Sequence, residues 1–181
     1  MELHKDVERV MLGEEQIRER VKEVAAQLDR LYEGRRPLVV CILKGSVVFF
    51  ADLIRNMKTP LELDFMAVSS YGAGSKSTGT LKINKDLSTD IAGRDVLIVE
   101  DIIDSGNTLY KLKALLNSRA PASVNIVTLL DKPERREVPM EPEYTCFTIE
   151  DEFVIGYGLD YAEEYRNLPY VGVLKRSVYE K

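Results

Sequence analysis

The chain has 181 residues, 45% of them hydrophobic and 30% charged, with a formal net charge of −5. That length suits one domain with one sizeable core, and the acidic balance leaves no electrostatic footprint for duplex nucleic acid. No apolar run approaches the roughly 20 residues a membrane span needs, and the two cysteines, Cys41 and Cys146, lie in apolar runs as buried thiols suited to a reducing cytoplasm.

The charged start, Met1 to Arg9, has no signal-peptide core. It carries the sole histidine, His4, which reads as a solvated terminal residue. Ser-His-Asp, Cys-His and HExxH chemistry therefore lack their histidine, and acid–base work falls to carboxylates, Lys or Tyr. No CxxC or Cys/His cluster offers a zinc site.

Glu14 to Leu31 reads as an amphipathic helix, with Ile17, Val21, Val24, Leu28 and Leu31 at helical spacing and Gly34 marking its end. Leu38 to Leu43 is a continuous apolar run, as in a strand covered on both faces. Lys44-Gly45-Ser46 turns the chain, and Val47 to Met57 reads as a helix. Leu61 to Ser70 is a second strand. Tyr71 to Thr80, YGAGSKSTGT, is small and polar, and predicts a mobile connection. Leu81 to Lys85 follows as a short strand, suited to a hairpin with the preceding one. Asp95 to Asp101 is a strand, Thr108 to Asn117 a helix with Leu109, Leu112, Leu115 and Leu116 on one face, and Val124 to Leu130 a buried strand. The tail from Tyr144 holds two or three short strands. This alternation predicts an α/β fold: a mostly parallel sheet with helices on both faces.

Val96 to Thr108, VLIVEDIIDSGNT, is the most informative segment. An apolar strand delivers Glu100 and Asp101 at its carboxyl end, where ligands bind in open α/β sheets. Asp104 follows, and Ser105-Gly106-Asn107-Thr108 opens a helix. Small residues there let backbone N–H groups and hydroxyls converge on a phosphate, aided by the helix dipole. A helix cap alone accounts for one of these residues. It does not account for acids flanking two hydrophobic residues, since half-buried carboxylates are costly without partners. Adjacent acids beside a phosphate cradle suit hydroxyls and a divalent cation.

VLIVEDIIDSGNTL resembles the signature of the phosphoribosyltransferase family, and the motifs around it resemble specifically its hypoxanthine-guanine members. The resemblance covers almost the whole chain. L-K-G-S at Leu43 to Ser46 resembles the family's pyrophosphate loop, and S-S-Y-G at Ser69 to Gly72 the start of its lid. L-L-D-K-P at Leu129 to Pro133 resembles its base-recognition turn. Phe153 to Tyr161 and Tyr165 to Pro169 resemble its purine clamp and second magnesium segment. Asn107 stands where some relatives carry Lys, which removes a positive charge from the phosphate loop.

The resemblance implies a type I phosphoribosyltransferase core over 1–181 as one domain. It adds a small hood from about 144–181 with an N-terminal contribution, and a flexible lid hairpin at about 71–80 that includes Ser70 and Tyr71. It implies a cis peptide between Leu43 and Lys44. Glu100 and Asp101 would address the ribose, and Asp104, Ser105, Gly106, Asn107 and Thr108 the 5′-phosphate. Lys44, Gly45 and Arg166 would meet pyrophosphate. Lys132, Phe153 and Val154 would bind the purine. Glu100, Asp101 and Asp160 would serve Mg2+, and Asp104 would be the general base. Substrates would be a 6-oxopurine base and phosphoribosyl pyrophosphate, with no nucleic acid and no membrane, in a cytoplasmic homodimer or homotetramer. Taken one at a time, Asp160 also fits a turn cap, Arg166 and Lys132 fit solvated residues, and Phe153 fits a core residue. Transferases for xanthine, adenine or uracil share the phosphate loop. A nucleotide-sensing RNA- or DNA-binding regulator on this fold would need a basic face or an added helix-turn-helix segment, and the acidic sequence has neither.

Overall fold

A computed structural model describes residues 4–70 and 81–180. Residues 71–80, the expected lid with Tyr71, and the Ser70 side chain lie outside the described residues. The chain runs β1 (Val7–Leu12), α1 (Glu14–Leu31), β2 (Leu38–Leu43), α2 (Val47–Asn56), β3 (Glu62–Ser70) and β4 (Leu81–Lys85). It continues through β5 (Asp95–Ile103), α3 (Asn107–Asn117), β6 (Ser123–Asp131), β7 (Tyr144–Thr148), β8 (Val154–Ile155), β9 (Val171–Leu174) and α4 (Arg176–Tyr179). None of the described helices is long and apolar enough to cross a membrane.

The main sheet has the order β4-β3-β2-β5-β6-β7. Only the β3–β4 pair is antiparallel. Each central strand splits its side chains between two cores. Val39, Cys41, Leu97, Val99, Val127 and Leu129 meet α1 and α2 through Val21, Leu28, Phe49 and Leu53. Leu38, Val40, Ile42, Val96, Ile98 and Ile126 meet α3 through Leu109, Leu112 and Leu116. This is why the strands read as unbroken apolar runs. Burying each such side chain contributes about 1.5–3 kcal/mol.

A second, three-stranded antiparallel sheet, β1-β9-β8, forms the hood. Val7, Ile155, Tyr170 and Leu174 make its own small core. β1 was not legible as a strand, because its sequence VERVML breaks its apolar residues with Glu8 and Arg9 and only Val7 and Leu12 are buried. His4 is not simply solvated: its ring meets the Tyr165 ring edge-on at 5.2 Å, and its backbone N–H donates to the Tyr170 hydroxyl at 3.2 Å. β7 pairs with β6 in the main sheet, so the C-terminal strands of the hood begin at Val154 rather than near 144.

Candidate active site

Register brings the key acids to one loop. β2 and β5 pair through Cys41↔Val99. β2 ends two residues later at Leu43, while β5 runs on through Glu100 and Asp101 to Ile103. The strand therefore extends two residues beyond the expected end at Asp101. The turn Lys44-Gly45 leaves β2 beside the Asp101 carboxylate, and the Leu43–Lys44 peptide is cis, as the resemblance implies. A Cβ placed on Gly45 would lie 1.7 Å from Asp101 Oδ2. On the other side, a Cβ on Gly158, whose φ is +102°, would lie 2.0 Å from the Gly45 carbonyl oxygen. Glycine at both positions lets the turn slot between the sheet edge and the hood.

Glu100 Oε2 is buried with no hydrogen-bond partner among the described residues. Burial, reinforced by the neighbouring Asp101 charge, pushes the Glu100 carboxyl well above the usual carboxylate range. Burial also raises Asp101, against the opposing pull of its hydrogen bonds and of the Arg166 charge. Two desolvated acids in contact favour a shared proton or a bound cation.

Asp104 follows β5, and α3 begins at Asn107 behind an N-cap Gly106 with φ of +81°. The first N–H groups of α3 have no partner within the helix. A cavity of about 190 Å³ beside them is lined by Glu100, Asp101, Asp104, Ser105, Gly106 and Thr108, while the Asn107 N–H donates to Ser105 Oγ at 3.4 Å. Asn107 donates to Glu137 Oε2 at 2.6 Å and to Ser105 Oγ at 3.2 Å. In this chain it ties down the loop and supplies no positive charge to it.

A second cavity, of about 520 Å³, shares Asp101, Ile102 and Asp104 with the first and is also lined by Lys132, Phe153, Val154 and Asp160. Lys132 sits at the end of β6 and is 8% exposed. Its Nζ donates to the Glu152 carbonyl at 2.6 Å and faces Asp151 Oδ1 at 3.4 Å. Phe153 is 38% exposed, so it is no core residue. Val154 is buried at the start of β8. Asp104 Oδ1 accepts from Arg135 Nε at 3.0 Å.

The Tyr165–Pro169 segment returns Arg166 to the same edge. Its Nη1 donates to the Gly158 carbonyl at 2.9 Å, and its Nη2 pairs with Asp160 Oδ1 at 2.8 Å. Arg166 is thus neither free nor fully exposed. Asp160 Oδ2 accepts from the Glu163 N–H at 2.9 Å, so both its oxygens are engaged. Lys44 projects to solvent and pairs with Glu163 at 3.0 Å. That places the Gly45 backbone, rather than the Lys44 ammonium, beside the acids.

Among the described residues there is no group of three or more His, Cys, Asp or Glu side chains able to hold a metal alone. The unpartnered Glu100 oxygen beside Asp101 fits a hard cation that keeps waters and draws further oxygens from a bound phosphate, as magnesium does. Several site residues were not foreseen. Arg135, Asp151 and Tyr179 line the larger cavity, yet they stand among ordinary polar turn and terminal residues with no spacing to mark them. Gly158 carried a signal: a glycine within a strand-like run marks a close backbone approach.

The sequence pattern of the phosphoribosyl transferase domain matches residues 12–162. The chain is 57% identical over 179 residues to the hypoxanthine-guanine phosphoribosyltransferase of Lactococcus lactis subsp. lactis, covering 99% of this chain and 97% of that protein. It is 53% identical over 177 residues to the enzyme of that name from Streptococcus pneumoniae, covering 98% of each. The crystal structure of a hypoxanthine phosphoribosyltransferase from Staphylococcus aureus superposes with a TM-score of 0.95 at 52% identity, over 98% of this chain and 97% of that one. The sheet edge bearing Glu100, Asp101 and Asp104, the cavity at the start of α3 and these full-length likenesses agree: the chain belongs to the phosphoribosyltransferase family, in its hypoxanthine-guanine group.

Proposed function

We propose that the chain transfers the phosphoribosyl group of phosphoribosyl pyrophosphate to hypoxanthine or guanine, forming IMP or GMP and releasing pyrophosphate, with Mg2+ required. The observation that carries this reading is the pair of adjoining cavities meeting at Asp101 and Asp104. One has the amides and hydroxyls of a phosphate cradle. The other has a buried lysine and an accessible aromatic ring.

In this reading the Ser105–Thr108 segment binds the 5′-phosphate through backbone N–H groups and side-chain donors. Glu100 and Asp101 receive the ribose hydroxyls, and with Asp160, through water, they would hold the magnesium ion, which neutralises charge on the leaving pyrophosphate when bound. Displacement at the anomeric carbon passes through an oxocarbenium-like state. The Gly45 N–H and Arg166 orient the pyrophosphate as it departs. Asp104 takes the proton from the purine near N7, a contribution of roughly 100- to 10,000-fold. Arg135 holds one of its oxygens.

Base choice follows from hydrogen bonding. Lys132 is donor-only. It suits the O6 acceptor of a 6-oxopurine and opposes the amino group of adenine. Its buried position, braced by the Glu152 carbonyl, makes a mismatch expensive. Phe153 stacks on the base and the Val154 backbone reads its other edge. The two buried thiols support a reducing, cytoplasmic setting. We read 1–181 as one domain that assembles as a homodimer or homotetramer, checked by light scattering.

A spectrophotometric assay tests the function directly. Phosphoribosyl pyrophosphate and Mg2+ are supplied with hypoxanthine, guanine, xanthine or adenine in turn, with and without chelator. Turnover of hypoxanthine or guanine that chelator abolishes is expected. Turnover of adenine alone, or none at all, contradicts the assignment.

A further inference from the structure

Phe153 stands at an open rim, yet its ring is held. The Tyr179 ring stacks on it, with 4.9 Å between centroids and 23° between planes. Tyr161 meets it edge-on at 5.6 Å and 84°. A lone aromatic side chain on a rim samples several rotamers, and that freedom is lost when a base stacks on it.

Tyr179 is itself anchored. Its helix, α4, follows β9 directly and is tied to the N-terminal strand's approach: the Lys175 N–H donates to the Asp6 carbonyl at 2.9 Å and its Nζ to the Lys5 carbonyl at 2.6 Å. The Glu180 N–H closes the turn onto the Arg176 carbonyl at 2.8 Å. Val178 and Tyr179 pack against the hood core of Val7, Ile155, Tyr170 and Leu174. Both ends of the chain thus fix a ring that lines the same cavity as Lys132 and Asp104.

We propose that Tyr179 is a positioning residue for base binding: its ring backs Phe153, so that the free face of Phe153 is held ready for the purine in a three-ring stack. This rests on Phe153 being the base-stacking residue. An aromatic pair of this geometry carries a preference beyond simple area burial. Held in place beforehand, Phe153 loses less freedom when the base arrives. The role needs the ring and not the hydroxyl.

Steady-state kinetics of Tyr179→Ala, Tyr179→Leu, Tyr179→Phe, Phe153→Ala and the double variant Phe153→Ala/Tyr179→Ala test it. The Ala and Leu variants should raise the KM for hypoxanthine about 2- to 10-fold. KM for phosphoribosyl pyrophosphate and kcat should stay within about twofold, because Tyr179 acts only through the base. Tyr179→Phe should behave as the parent. In the Phe153→Ala background, removing Tyr179 should add less than about twofold, since the two rings act as one unit. A fall in the hypoxanthine KM on losing the Tyr179 ring would overturn the proposal, because the ring would then occupy the place of the base. So would an unchanged KM, or an equal effect in both backgrounds. If Phe153→Ala raises the KM while the Tyr179 variants do not, this inference alone fails. If Phe153→Ala leaves it unchanged, the base-pocket reading fails and this inference with it.

Discussion

The backbone of Gly45 lies against the carboxylate of Asp101 so closely that no side chain fits between them, the nearest approach of an added Cβ being 1.7 Å from Oδ2. The turn that leaves β2 and the acid that ends β5 are therefore one unit. Gly45→Ala must push Asp101 aside or shift the turn. Misplacement of about 1 Å at a reacting centre costs on the order of 100-fold in rate. The expected result is a fall of that size in kcat/KM for phosphoribosyl pyrophosphate. A variant within twofold of the parent would detach the turn from the acid site.

Lys132 supplies a buried donor, and its loss should fall on the base. Lys132→Ala is expected to reduce kcat/KM for hypoxanthine by roughly 10- to 150-fold, the range for a hydrogen bond to a charged group. Adenine, which gains nothing from that donor, should be affected least. Measuring both bases decides it, and an unchanged ratio between them would remove Lys132 from base selection.

Arg166 joins the Gly158 carbonyl to Asp160. Arg166→Gln keeps some hydrogen bonding but loses the charge that faces Asp101. Pyrophosphate affinity, read by calorimetric titration, should weaken about 10-fold or more. Binding as tight as in the parent would leave Arg166 a structural brace only.

Cys146 gives the fold an alkaline limit. Burial pushes its thiol up to about 12, while in an unfolded chain it titrates near about 8.5. The folded state therefore holds the proton more tightly, and the stability this contributes is present below the unfolded value and lost as pH rises toward the folded one. Tyr32, raised by burial to about 12, acts in the same direction. Urea midpoints measured from pH 8 to 11 should fall, and less steeply in Cys146→Ala. An identical slope in the two proteins would show that the thiol is not the titrating group.

Much of this arrangement was legible in the sequence, for identifiable reasons. α1 was found at its true bounds because Ile17, Val21, Val24 and Leu28 repeat on one face of a long helix, and all four are buried. β2 was found because both its faces are covered. The acid site was legible because VLIVEDIIDSGNT compresses strand, acids and helix start into contiguous residues. What escaped was non-local. β1 is a strand only because β9 pairs with it from the far end of the chain. Arg135 meets Asp104, and Tyr179 meets Phe153, across loops whose path no local pattern encodes. β5 ran two residues past its expected end because Ile102 and Ile103 continue to pair with β6.

Asp104 is where the two cavities join, and replacing it with asparagine keeps its shape while removing its capacity to take a proton. Single-turnover measurement of IMP formation by Asp104→Asn, at saturating hypoxanthine, phosphoribosyl pyrophosphate and Mg2+, is the most direct test. The expected result is a rate lower by roughly 100- to 10,000-fold, with phosphoribosyl pyrophosphate still bound. An undiminished rate would contradict the claim that this sheet edge carries the chemistry.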